Sequence, residues 1–192
     1  LQTAFEEVKR TGGVPEQLAF QDAWEGLDNP YSHTPVETGA AHTVLVDVAR
    51  ALSAIPDGFS LNPKVAKKLP ETRKAVEEHG LVDWAGAELL AFGSLLHEGV
   101  PVRLSGQDSA RGTFSHRHSV WQDMDSQESY IPLRHIHETQ ARFCVYNSML
   151  SEAAVLGFDY GYSLDEPHMW CFGKRNLGTS PMAHRSSSTN SS

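Results

Sequence analysis

Apolar residues recur at helical spacing over His42–Ala54, where Val44, Leu45, Val48 and Leu52 share a face before Pro56 and Gly58 stop the run. Asn62–His79 reads as a second helix, rich in Lys and Glu, with Gly80 as its stop. Asp83–Glu98 is a more apolar helix. Leu89, Leu90, Phe92, Leu95 and Leu96 form its buried part, Asp83 is placed to cap its first turn, and Gly99 and Pro101 end it. Three short apolar runs then read as strands, Val102–Ser105, Phe143–Tyr146 and His168–Phe172. Between the last two lies a helix, Ser151–Tyr162, with Ala153, Ala154, Leu156 and Gly157 close together for tight packing. The order helix, strand, long connection, strand, helix, strand predicts an α/β fold whose parallel strands are joined by right-handed crossovers. The connection Gly106–Arg142 is long, and long ordered connections tend to carry function.

The ends of the chain look different. Leu1–Pro35 is mixed and turn-rich and reads as an irregular arm, and the tail from Gly173 has no period and a Ser/Thr/Asn run. The expected organisation is an arm over 1–40, a helical linker over 41–81, a partial parallel-sheet domain over 82–172 and a disordered tail over 173–192. With 192 residues, 40% hydrophobic and 21% charged, the chain suits one globular domain. A net charge of −8 without a Lys/Arg cluster argues against nucleic acid and against an anionic membrane surface. No apolar run approaches the roughly 20 residues needed to span a bilayer, and the first residues lack the basic and apolar regions of a secretory signal. Cys144 and Cys171 sit in apolar, strand-like settings and read as buried thiols of a reducing compartment.

The chemistry concentrates in Leu104–His118, LSGQDSARGTFSHRH, where a strand runs into a Gly-punctuated turn and then two histidines one residue apart. Turns at strand ends are where α/β folds place ligand groups. On an extended segment His116 and His118 point the same way, with Arg117 on the other side. His135 and His137 repeat the spacing, so HRH and HIH together leave open a metal-dependent enzyme using all four imidazoles. Asp108 in the turn has a bland alternative as a residue bonding its own backbone. Glu152, directly after a strand and at the start of a helix, has one as an acid favoured by the helix dipole.

Two stretches together, LSGQDSARGTFSHRH at 104–118 and NSMLSEAAVLGFDYGY at 147–162, resemble the 2-oxoglutarate dehydrogenase family, in its thiamine-diphosphate-dependent decarboxylase component. The resemblance runs from about Trp24 to Cys171 and is strongest over Asp83–Pro167. It implies part of a transketolase-like pyrimidine-binding domain preceded by a helical linker. It also implies oxidative decarboxylation of 2-oxoglutarate in the tricarboxylic acid cycle, with the succinyl group passing to the lipoyl arm of a succinyltransferase partner. The parent would be a homodimer, cytoplasmic in a bacterium or in the mitochondrial matrix of a eukaryote. Glu152 matches the glutamate that hydrogen-bonds a pyrimidine ring nitrogen of thiamine diphosphate and so activates the cofactor, with Leu150 beside it as a cofactor-binding position. Asp108 matches an acidic residue of a polar path near the cofactor, although Gln107 stands where relatives often have Glu. His116 and His118 match loop histidines that handle the 2-oxo acid.

The Gly-Asp-Gly type of motif that holds magnesium and diphosphate is absent, so a domain outside this chain would bind the metal. The tail departs from the family's continuation. Suitable codons for Gly173–Ser192, read in the neighbouring frame, encode Trp-Glu-Ala-Gln-Phe-Gly-Asp-Phe and onward, which is that continuation. The expectation is a frameshift near Phe172 and a fragment that is inactive alone. A non-catalytic interaction remnant is the other alternative.

Overall fold

A computed structural model describes residues 2–11, 22–27, 30 and 32–174. Part of the arm is helical: α1 spans Gln2–Thr11 and carries Lys9 and Arg10 in its last turn, where positive charge suits the carbonyl end of a helix. A short 3-10 turn at Asp22–Trp24 follows, and the Trp24 indole N–H donates to the Leu164 carbonyl at 2.8 Å.

Three helices precede the sheet: α2 (His42–Ala51), α3 (Pro63–Glu77) and α4 (Trp84–His97). Local signals start the last two. Asn62 accepts the Lys64 N–H at 3.0 Å with Pro63 in the first helical position, and Asp83 accepts the Gly86 N–H at 2.7 Å. Val48, Ala49, Val76 and Leu90 form the core among these helices. Gly93 permits the close approach of α2 to α4, since a Cβ there would collide with the Val48 side chain.

The main sheet has three parallel strands, β1 (Val102–Gly106), β4 (Phe143–Asn147) and β5 (Trp170–Lys174), in the order β4-β1-β5. Val102 stands opposite Phe143 on one side and Trp170 on the other. A second core of Phe92, Leu96, Val102, Leu104, Leu133 and Phe143 joins α4 to the sheet. On the other side α5 (Glu152–Asp165) packs on β5 and β1, so β1 is buried along its whole length.

Beyond the helical part of the arm, the structure departs from the expected elements in the long connection and in the third strand. The long connection holds a small antiparallel hairpin, β2 (Trp121–Gln122) with β3 (Ser129–Tyr130), and a 3-10 turn at Pro132–Arg134. The carboxylate of Asp123 fixes this region by accepting the N–H groups of Ser60, Asp125 and Ser126, each at 2.8 Å. The third strand starts at Trp170, because Met169 still belongs to a turn bonded to Glu166 while the Trp170 N–H donates to the Pro101 carbonyl. That strand takes in Gly173 and Lys174, the first two residues of the expected tail; the rest of the tail, and with it the frameshift expectation, lies outside the described residues. Cys144 is buried as expected, whereas Cys171 is only partly buried, and neither is in a disulfide.

Candidate functional site at the carboxyl edge of the sheet

Parallel strands of an open α/β sheet offer ligands the crevice beyond their carboxyl ends. Here β1 ends in Gly106, with φ of 127°, and runs through Gln107 to Asp108, held in the left-handed region at φ of 54°. Next to it β4 ends at Asn147. Two hydrogen bonds clasp these ends. The Asn147 side-chain oxygen accepts the Ala110 N–H at 2.9 Å, and the Ser148 N–H donates to the Gly106 carbonyl at 2.8 Å. The Ser109 hydroxyl adds a 3.0 Å bond to the same carbonyl.

The clasp brings the Asp108 turn to the same end of the sheet as the segment Leu150–Glu152. Ser151 caps α5 by accepting the Ala154 N–H at 3.4 Å, which makes Glu152 the first helical residue. Glu152 is half-buried in the first turn of the helix. Leu150 is 53% exposed and offers an apolar surface beside it. Asp108 leans on Arg111 at 3.5 Å. This end of the sheet therefore carries an acid at a helix start, an apolar face and a polar turn.

One interaction missing from the sequence reading aligns α5. Asp159 accepts from the Arg103 guanidinium and from the Ser105 hydroxyl, each at 2.9 Å, and both partners lie on β1. The guanidinium is ringed by Tyr146, Phe158 and Tyr162 at 5.1, 4.8 and 4.8 Å from their centroids. No pattern of local spacing pairs Arg103 with Asp159; the available signal was a lone charge inside each of two apolar segments.

His116 and His118 lie elsewhere. Both line a cavity of about 910 Å³ bounded by α3, α4 and the loop, and neither Asp108 nor Glu152 lines it. The segment is not extended as expected: Ser115 and His118 take φ of 51° and 45°, and the N–H groups of Arg117 and His118 both donate to the Arg111 carbonyl at 3.0 Å. Gly112, at φ of 85°, packs so tightly on the His116 ring that a Cβ would collide with it. Arg117 lines the same cavity as the two histidines. Its guanidinium grips the Glu88 carboxylate through Nε and Nη2, the latter at 2.9 Å, and donates to the Ser109 carbonyl at 3.0 Å. Glu88, for which the sequence offered no role, thus anchors the loop to α4.

His135 and His137 line a different cavity, of about 570 Å³. His135 stacks on Tyr130 with centroids 4.7 Å apart, and His137 meets His97 edge-on at 4.8 Å. The four-histidine metal site is therefore corrected. The pairs are held on separate walls, and no group of three or more His, Cys, Asp or Glu among the described residues could hold a metal.

Burial lowers the pKa of His118, and the positive charges of Lys68 and Arg111 lower it further against the opposing effect of its backbone contact with Ser115. The neutral imidazole is thus favoured in the folded state. Between the lowered value and the ordinary 6.5 the unfolded chain binds more protons, so stability falls as pH drops through this window. The denaturation midpoint is expected to decrease from pH 7.5 to 5.5, and His118→Asn, which tolerates the left-handed backbone, should flatten that slope. Equal slopes for the two proteins would contradict this account.

The transketolase pyrimidine-binding domain family matches residues 81–174. The chain is 48% identical over 139 residues to proteins named 2-oxoglutarate dehydrogenase E1 component from Bacillus mycoides (strain KBAB4), Bacillus cereus (strain G9842) and Bacillus anthracis (strain A0248), which is 71% of this chain and 15% of each relative. The chain thus spans about 15% of the length of these curated relatives. No helix among the described residues is long and apolar enough to cross a membrane. The chain matches a fragment of the 2-oxoglutarate dehydrogenase E1 component family.

Proposed function

We propose that this chain is the pyrimidine-binding segment of a thiamine-diphosphate-dependent enzyme that decarboxylates 2-oxoglutarate and passes the succinyl group to a lipoyl-bearing succinyltransferase. The observation that carries the reading is the clasp of Asn147 and Ser148 on the turn after β1, which gathers Asp108, Leu150 and Glu152 at one edge. Thiamine diphosphate, when bound, supplies the nucleophilic carbon and the electron sink for loss of carbon dioxide from a 2-oxo acid.

The chain's own residues do the rest on the pyrimidine side. Glu152 holds a proton between its carboxyl and the ring nitrogen, and the start of α5 fixes where that proton sits. Leu150, exposed beside Glu152, would lie against the bound pyrimidine and limit water there. Asp108 keeps the adjoining turn polar. The magnesium and diphosphate belong to another domain of a homodimeric parent in this reading. Substrate contact by His116 and His118 is supported by the resemblance and not by the geometry, since their cavity excludes Glu152.

A chimera tests the proposal. Residues 81–174 would replace the matching segment of the Bacillus cereus E1 component, and turnover of 2-oxoglutarate would be followed with thiamine diphosphate and magnesium. The chimera is expected to turn over, and the isolated chain is expected not to. A folded chimera that binds thiamine diphosphate but releases no carbon dioxide would overturn the reading.

A further inference from the structure

The two edges of the main sheet are finished differently. On β4 the Val102 N–H takes the Arg142 carbonyl, so the next carbonyl, that of Phe143, turns outward, and the Arg134 guanidinium donates to it at 3.0 Å. A cation on the edge blunts it against a further strand. On β5 the Trp170 N–H donates to the Pro101 carbonyl, so Trp170 and Phe172 turn their backbone groups towards β1. Alternation along the strand then turns the N–H and C=O groups of Cys171 and Gly173 outward. Among the described residues no hydrogen bond meets them.

The side chains of this strand are open as well. Trp170 is 53% and Phe172 38% exposed. Two residues apart on a strand, they share a face, the one on which Phe172 meets Phe92 edge-on at 6.0 Å. The stretch Trp170–Gly173 carries neither charge nor proline. An open, apolar edge of this kind is a template for another strand.

We propose that β5 pairs antiparallel with β5 of a second copy of this chain, about a twofold axis through Phe172. A strand that meets itself satisfies all the outward groups of Cys171 and Gly173 in one register only. Cys171 of each copy stands opposite Gly173 of the other and exchanges both backbone bonds with it. Phe172 then stands opposite Phe172 as a pair without mutual hydrogen bonds, its Cα atoms about 4.5 Å apart, and Trp170 reaches diagonally to the Phe172 of the other copy. A twofold contact sets the same patch against itself, so any charge on it would face a like charge. Trp170–Gly173 brings none, which is why a second copy fits this edge. The sheet runs on through both copies in the order β4-β1-β5-β5-β1-β4. The contact belongs with small interfaces of less than about 1,200 Å², so the dimer is a weak one. Asp108, Leu150 and Glu152 all lie off β5, and the proposal does not rest on the Glu152 reading.

Sedimentation of the full chain from about 5 to 200 µM is expected to show a monomer–dimer equilibrium with a micromolar dissociation constant. Trp170→Lys should weaken the dimer about tenfold or more, because it puts a charge on the edge and removes an aromatic contact. Trp84→Lys, at a tryptophan that is 93% exposed at the start of α4, should leave it unchanged. Mild oxidation reads the register. The variant Cys171→Ser/Phe172→Cys is expected to form an intermolecular disulfide, since a Cα separation of about 4.5 Å lies within the roughly 4.4–6.8 Å that a disulfide spans. The unsubstituted chain, with Cys171 opposite Gly173, is expected to stay unlinked. A chain that remains monomeric throughout overturns the proposal. So does a dimer that the two tryptophan variants weaken equally, or one that oxidation joins through Cys171 and not through position 172.

Discussion

Replacing Glu152 with Gln in the chimera is expected to lower turnover of 2-oxoglutarate about 100-fold or more, the usual scale for removing a positioned acid–base group. The substitution is nearly isosteric, and Gln can still hydrogen-bond a ring nitrogen, but it cannot exchange a proton with it. The cost to folding should be small. Glu152 is half-buried in the first turn of α5, so loss of its charge forfeits about 0.3–1 kcal/mol of interaction with the helix dipole. A merely structural glutamate would give the opposite pattern, with turnover kept and the unfolding midpoint shifted. Glu152→Asp offers a second check, because it keeps the proton but withdraws it by one methylene. Activity between that of the parent and the Gln variant is the expected outcome, and equal activity of all three would remove Glu152 from the chemistry.

The second large effect is on stability. Arg103→Ala is expected to cost about 3–5 kcal/mol, the range for removing one partner of a buried ion pair. Arg103 is 8% and Asp159 5% exposed, so the Asp159 carboxylate would be left in a dry site with one hydroxyl donor, that of Ser105. The guanidinium also fills the space among Tyr146, Phe158 and Tyr162, which adds a packing loss. Domains of this size hold only about 5–15 kcal/mol in total, so most of the folded population is at risk. Urea denaturation followed by circular dichroism measures the loss. The double variant Arg103→Met/Asp159→Leu should recover most of it, since it removes the stranded charge along with its partner. A loss below about 1 kcal/mol in Arg103→Ala would show that water reaches the pair after all.

Both effects meet in α5. The Arg103–Asp159 pair ties the middle of the helix to the middle of β1, while the Asn147 and Ser148 bonds tie the turn before it to the turn after β1. These attachments hold the first turn of α5 against the carboxyl edge, and Glu152 takes its place from them.

The sequence by itself determined the elements whose signals are local. Asp83 caps α4 and Ser151 caps α5 because a side-chain oxygen next to a free backbone N–H needs no distant partner. Apolar residues marked α2 and α4, a Lys- and Glu-rich run ended by Gly80 marked α3, and the two long motifs carried the family and the candidate roles of Glu152 and Asp108. The tertiary structure decided what depends on residues far apart in the chain. Arg117 meets Glu88 across 29 positions and Arg103 meets Asp159 across 56, and no local period encodes either pair. The start of β5 was likewise set by its partner strand, since Trp170 begins the ladder only where the Pro101 carbonyl is there to receive its N–H. The histidines show the same division. Their spacing within each pair was legible, but the walls on which HRH and HIH stand are fixed by the Arg117 anchor and by the Tyr130 and His97 contacts. Those long-range contacts, paid for by burial rather than by local conformation, placed one pair in the cavity bounded by α3 and α4 and kept both away from each other.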